Sequence, residues 1–198
     1  MKTEIFGLAC FSLLLFGCAS PGGFPPGTAE ETKKIPADKR IELSLAPGTF
    51  AITEVEFHVE SSALPKRILD RAKELVPGGY VGDCEIEYHD DKVFYEVTFT
   101  VKGEEQEIMF TAEGEPYRWE VEVRRADLPK EVLDAALAAV PDARLKKAEK
   151  ILDGGKALLE YHIKLEKKWV KYKAAVSKEG ELLGLWRETV GEIEVPLL

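Results

Sequence analysis

Among its 198 residues the chain has only three cysteines, three histidines and two methionines. Cys10 and Cys18 lie in the N-terminal segment, which leaves Cys84 alone and no disulfide framework to draw. His58, His89 and His162 have no metal-ligand spacing to one another or to a cysteine. His89-Asp90-Asp91 reads instead as a polar turn, matched further on by Asp153-Gly154-Gly155. No serine sits in a nucleophile motif. Gly22-Gly23 and Gly154-Gly155 lack the strand-to-helix setting of a phosphate loop. Positive charge is also short: 27 Lys and Arg stand against 36 Asp and Glu, a net charge of −9. An acidic surface repels phosphates, so nucleic acid is not an expected partner. No apolar run reaches the roughly 20 residues that cross a bilayer. These absences argue for binding over catalysis, with no catalytic residue, metal or cofactor expected. A hydrophobic content of 45% is still enough for a real core.

The N-terminus carries an address. Lys2 precedes an apolar run from Ile5 to Phe16, short for a membrane span and suited to a secretory signal. The run ends Leu15-Phe16-Gly17-Cys18, which resembles the bacterial lipoprotein box with Cys18 as the lipidated residue. Phe16 is bulkier than usual there, and Glu4 weakens the positive start. The resemblance implies a signal peptide over 1–17 and a membrane partner through lipid on Cys18. Ala19 and Ser20, where an inner-membrane retention signal would place Asp, imply the outer membrane facing the periplasm. Pro and Gly then dominate, so 18–40 reads as the lipidated Cys and a flexible tether.

The folded part repeats. Leu64-Pro65-Lys66, Ile68-Leu69-Asp70 and Val76-Pro77 return as Leu128-Pro129-Lys130, Val132-Leu133-Asp134 and Val140-Pro141, all at an offset of 64. Leu-Pro opens each helix and Val-Pro closes it. Leu64, Ile68, Leu69, Ala72 and Val76 make one apolar face, with equivalents at Leu128, Val132, Leu133, Ala136 and Val140. Ile41–Leu45 and Phe50–Val59 read as strands before the first helix. Cys84, Ile86 and Tyr88 alternate on another, which gives Cys84 a core position. Val93 to Val101 alternates after it, matched at the same offset by Ala157 to Leu165. Gly114 and Gly180 mark hairpins offset by 66, so the second copy gains two residues, placed near Lys167-Lys168. Ile193–Pro196 reads as a closing strand. The expected class is α+β, two tandem α-β-β-β repeats with helices packed on one face of an antiparallel sheet. The first repeat with its N-terminal strands covers 41–124 and the second 125–198.

The Leu-Pro helix, Tyr95-Glu96-Val97 on a strand and the Gly114 hairpin resemble PepSY-like domains, in the branch described as β-lactamase-inhibitor-like. The second copy departs from the motif, with Leu159-Glu160-Tyr161. The resemblance implies one sheet face covered by helices, the other open, and a binding or inhibitory role. A secreted or periplasmic hydrolase, such as a peptidase, is the protein partner it implies.

On the open face, alternation places Glu56, Glu96, Glu120 and Glu160, with Glu96 and Glu160 as repeat equivalents. His162 shares the strand face of Glu160. Phe94 and Leu158, another equivalent pair, also point outward, joined by Trp169. Apolar groups ringed by Glu and Lys match a protein-binding patch, against the plainer reading of side chains tucked under a loop. The expected function is therefore protein binding through the open face. The alternatives are a small-ligand or cation binder on the acidic residues, or a structural envelope lipoprotein.

Overall fold

The structure is a computed structural model. It describes residues 40–191 except 50, 90 and 91. The signal, Cys18, the tether up to residue 39, Asp90-Asp91 and the expected strand at Ile193–Pro196 lie outside the described residues.

Among the described residues ten strands form one antiparallel sheet, ordered along the sheet as they are along the chain. They are β1 Ile41–Leu45, β2 Ile52–Val59, β3 Tyr80–His89, β4 Lys92–Val101, β5 Glu104–Thr111, β6 Pro116–Glu122, β7 Arg144–Asp153, β8 Leu158–Lys167, β9 Val170–Val176 and β10 Leu182–Arg187. Helix α1, Lys66–Leu75, follows β2, and α2, Lys130–Ala139, follows β6. Pro65 and Pro129 sit at the N-caps, just ahead of the helices they pre-organise.

The expected α+β class is overturned. The described chain is strand-dominated, one ten-stranded sheet carrying only two ten-residue helices. Among the described residues four strands, not three, follow each helix. The strand missed in the first repeat is β5. It begins Glu104-Glu105-Gln106-Glu107, polar on both faces, and so shows no apolar alternation. The repeats share one sheet through the β6–β7 ladder.

Residues directly paired in an antiparallel ladder lie on the same face. Val59, Cys84, Val97, Ile108 and Trp119 form one such row across β2 to β6, beneath Ile68 and Ala72 of α1. On the same face Val132 and Ala136 of α2 pack on Ala148, Ile163 and Ala174. Full burial of a side chain such as Ile68 contributes about 1.5–3 kcal/mol. The predicted helix faces are therefore the observed ones, and Cys84 is buried among them.

The two extra residues of the second repeat are not near Lys167-Lys168. Helices and the first strands keep the offset of 64, whereas β4 to β8 and β5 to β9 are offset by 66. The gain lies in the β7–β8 connection, residues 154–157, whereas β3 and β4 are separated by only two residues. Glu96 is thus equivalent to His162, and Phe94 to Glu160. The second copy of Tyr95-Glu96-Val97 is Tyr161-His162-Ile163.

Candidate functional site

The face away from the helices is strongly curled. Lys173 of β9 is close enough to Glu54 and Glu56 of β2 for its charge to favour both carboxylates, although burial and neighbouring carboxylates still leave Glu56 raised. Seven strand spacings on a flat sheet would separate them by about 34 Å, beyond the screening length of ~8–10 Å. The sheet therefore bends toward this face and makes it concave, and Glu87, Met109 and Glu149 are buried on it although no helix covers it.

Its first half is acidic. Four like-charged pairs face each other directly: Glu42 with Glu56, Glu56 with Glu87, Glu85 with Glu96, and Glu107 with Glu120. Such pairs destabilise a sheet. They are also sheltered from water, with Glu87 2% and Glu96 6% exposed. Carboxyl oxygens of Glu85, Glu87 and Glu96 all lie within 4.8 Å of one another. Burial, then the charges of Glu87, Glu107, Glu120 and Glu85, push the Glu96 carboxyl well above its usual range. Burial and the neighbouring carboxylates raise Glu85 to about 9 and Glu56 to about 8. Burial, with Glu120 and Glu149, raises Glu107 to about 7.

Two histidines and an arginine hold the margins of this cluster. His89 lies against Glu54 and sets Nε2 3.2 Å from Glu87 Oε2. Its bonds to Glu54 and then Glu87 lift it to about 9. Burial works to raise Glu54, but the His89 bond and charge outweigh it and hold the carboxyl at about 2. Buried His58 has Nδ1 2.7 Å from Asp83 Oδ2 and 3.3 Å from Glu85 Oε1. Arg118 of β6 ion-pairs with Glu120 at 3.0 Å, while its buried Nε finds no hydrogen-bond partner. Burial opposes the Arg118 charge, yet Glu120, Glu96, Glu87 and Glu54 raise it above its ordinary value.

The second half is basic where the first is acidic. Glu149, 1% exposed, takes Lys147 at 2.6 Å and Lys164 at 3.3 Å. Lys147 also reaches Glu105 and, at 3.2 Å, Glu107. Burial disfavours the Lys147 charge, but bonds to Glu105 and Glu149 overcome it and raise the ammonium. The repeat thus compares two solutions on one scaffold. Glu85 facing Glu96 becomes Glu149 facing His162, Glu87 becomes Ile151, and Glu107 becomes Lys173.

The expected residues divide. Glu56, Glu96, Glu120, Glu160, His162 and Phe94 do share the helix-free face. Glu160 accepts a 2.8 Å hydrogen bond from His162 Nε2, which lowers its carboxyl. Phe94 is buried there, with ring centroids 4.8 Å from Tyr117 and 5.5 Å from His89. Leu158 is not beside it. A bulge in β8 pairs Glu160 with Ile151 but Leu158 with Leu152, which turns Leu158 to the helix side, against the second core. Trp169 stands apart in the β8–β9 turn, so the three apolar residues form no common patch. Glu85, Glu87 and His89 were missed as site residues. Their signal was present, since they alternate with Cys84, Ile86 and Tyr88 and so had to face the other way.

The sequence matches no protein-family model and no curated protein. Its fold is similar to solved structures. A Bacteroides eggerthii protein, whose periplasmic location is itself a prediction, matches with a TM-score of 0.50 and 17% identity over 62% of this chain and 88% of its own. A DUF2874 family protein from Bacteroides uniformis matches with a TM-score of 0.50 and 14% identity over 63% and 89%. A BLIP-like protein from Bacteroides fragilis matches with a TM-score of 0.48 and 22% identity over 68% and 95%.

Proposed function

We propose that the chain is a non-catalytic, extracytoplasmic binding module whose concave face takes a cationic group at Glu85, Glu87 and Glu96. The observation that carries this reading is the internal comparison. At the same three positions the second repeat places Glu149, Ile151 and His162, and the same sheet forms. The fold does not demand three crowded carboxylates, and their burial costs stability. A bound cation offsets that cost by replacing the protons that otherwise neutralise Glu85 and Glu96.

The leading source of the cation is a Lys or Arg side chain of a protein partner. A curled sheet with one acidic and one basic half can orient such a partner and reject a uniformly acidic one. The second reading is a divalent cation, favoured by the 4.8 Å clustering of the carboxyl oxygens. Restraint of an envelope hydrolase is the form of protein binding that the PepSY-like resemblance implies. The export signal read at residues 1–17, and the periplasmic assignment of the Bacteroides eggerthii neighbour, support a place in the envelope.

Affinity capture from an envelope extract tests the protein reading, comparing the chain with its Glu85→Gln, Glu96→Gln variant. A partner held by the first and lost by the second, with both folded, supports it. Equal capture by both would sink it.

A further inference from the structure

Trp169 is 91% exposed, more than any other aromatic among the described residues. It occupies the second central position of the tight β8–β9 turn, with φ of 48° at Lys168 and 72° at Trp169. Two-residue hairpin turns of this hand need positive φ at both central residues, and Gly is favoured there. The first repeat complies: its equivalent β4–β5 turn has Lys102 at 54° and Gly103 at 87°. A bulky side chain in this region is strained, and such strain clusters at functional positions. Trp169 therefore accepts strain that the first repeat avoids, and almost none of its surface is covered in return.

Its place in the fold is the second observation. Strands alternate in direction, so the start of β1, the start of β3 and the β8–β9 turn all lie at one end of the sheet. The chain from the Leu15-Phe16-Gly17-Cys18 box joins the sheet at this end, at Arg40. Tyr80, 76% exposed, opens β3 there as well. Sheet curling brings the β2 and β9 regions together, as the Lys173 effect on Glu54 requires.

Charge is the third. Around the turn Arg144, Lys146, Lys167, Lys168 and Lys171 outnumber Asp142, Glu166 and Glu188, on a chain of net charge −9. A shallow hollow beside the indole is lined by Asp142, Arg144, Glu166, Lys167, Lys168 and Trp169. An indole settles in the headgroup layer with its apolar body inward, and flanking lysines reach lipid phosphates.

We propose that the β8–β9 hairpin, led by Trp169, is a second contact with an anionic bilayer and orients the sheet on the membrane. The inference rests in part on the lipid-anchor reading of the N-terminus. It does not depend on what the concave face binds.

The test uses the full chain with vesicles of phosphatidylethanolamine and phosphatidylglycerol containing brominated lipid. A Trp186→Phe background removes the other exposed indole, since Trp119 is buried. The expected result is co-flotation with the vesicles and a blue-shifted Trp169 emission quenched by the bromines. The quenching should weaken in high salt and disappear in Trp169→Gly. That variant installs the residue of the equivalent turn, so it should melt higher than the parent, which guards against misfolding as an explanation. Co-flotation without quenching would overturn the hairpin contact and leave the anchor standing. Absence of co-flotation would overturn both. Shielding of Trp169 only when envelope proteins are present would show that the tip meets a protein, and a lower melting temperature in Trp169→Gly would show a structural role. Either result would overturn the proposal.

Discussion

Glu85 of β3 faces Glu96 of β4 directly across the ladder, on a concave surface where Glu96 is 6% exposed. Every one of the strongest electrostatic neighbours of Glu96 is another carboxylate. The equivalent pair in the second repeat, Glu149 and His162, has an acid facing a base. From this contrast follow expectations about pH, charge and packing.

Stability should be greatest in mildly acidic solution and fall as pH rises. Glu56, Glu85 and Glu107 titrate near 8, 9 and 7 when folded, against 4.5 unfolded. The folded state therefore holds more protons than the unfolded state between about pH 4.5 and 9, and stability declines with pH across that window. His89, raised from 6.5 to about 9, acts in the same direction: its contribution is complete below 6.5 and lost through 9. Glu54, lowered from 4.5 to about 2, works oppositely and is lost only as pH falls below 4.5. Thermal melts should peak near pH 5. A melting temperature that rises steadily from pH 5 to 9 would contradict the account.

Glu96→Gln should stabilise the free protein at pH 8, by roughly 1 kcal/mol or more, because an amide keeps the shape and needs neither a buried charge nor the proton that the folded carboxyl takes up. Melting curves of the two proteins should converge at pH 4.5, where the native carboxyl is neutral. Destabilisation at pH 8 would show that the carboxylate is structurally satisfied.

The basic half should respond in the opposite sense. Lys147→Met leaves Glu149 buried and deprived of its partner at 2.6 Å, with only Lys164 remaining. Removing one partner of a buried ion pair costs about 3–5 kcal/mol, and partial exposure of Lys147 places the expected loss near the lower value. Urea unfolding measures it directly, and a change of under about 0.5 kcal/mol would refute the assignment.

Gly154→Ala should be poorly tolerated. A Cβ there would collide with the Pro116 carbonyl oxygen, which is backbone and cannot rotate away. The β6–β7 edge would have to shift, at a cost of roughly 2 kcal/mol or more. Gly155→Ala, whose new Cβ would meet only the Asp153 side chain at 3.3 Å, should cost much less. Equal losses in the two variants would show that the close approach to Pro116 is unimportant.

Much of the scaffold was legible because apolar periodicity reports burial. Ile68, Ala72, Val132 and Ala136 announced the helix faces, and Cys84 announced the buried side of β3. The strand-dominated class was not legible, since β5 opens with a polar stretch and shows no period. Leu158 was misplaced because a bulge reverses the side-chain alternation without any Gly or Pro to mark it. The same two-residue gain hid the true counterpart of Glu96, which is His162. The curl was hidden as well. Local sequence records which residues share a face but not how far the face bends, so carboxylates placed on an open face proved to be sheltered.

The most direct measurement is a thermal melt at pH 7.5 with calcium, and separately with an Arg- and Lys-rich peptide, on the parent and the Glu85→Gln, Glu96→Gln variant. A ligand that binds only the folded state raises its melting temperature. The account predicts a rise with at least one of these cations in the parent, proton release on binding, and no rise in the variant. No rise in the parent with either cation, or the same rise in both proteins, would contradict cation binding at the concave face.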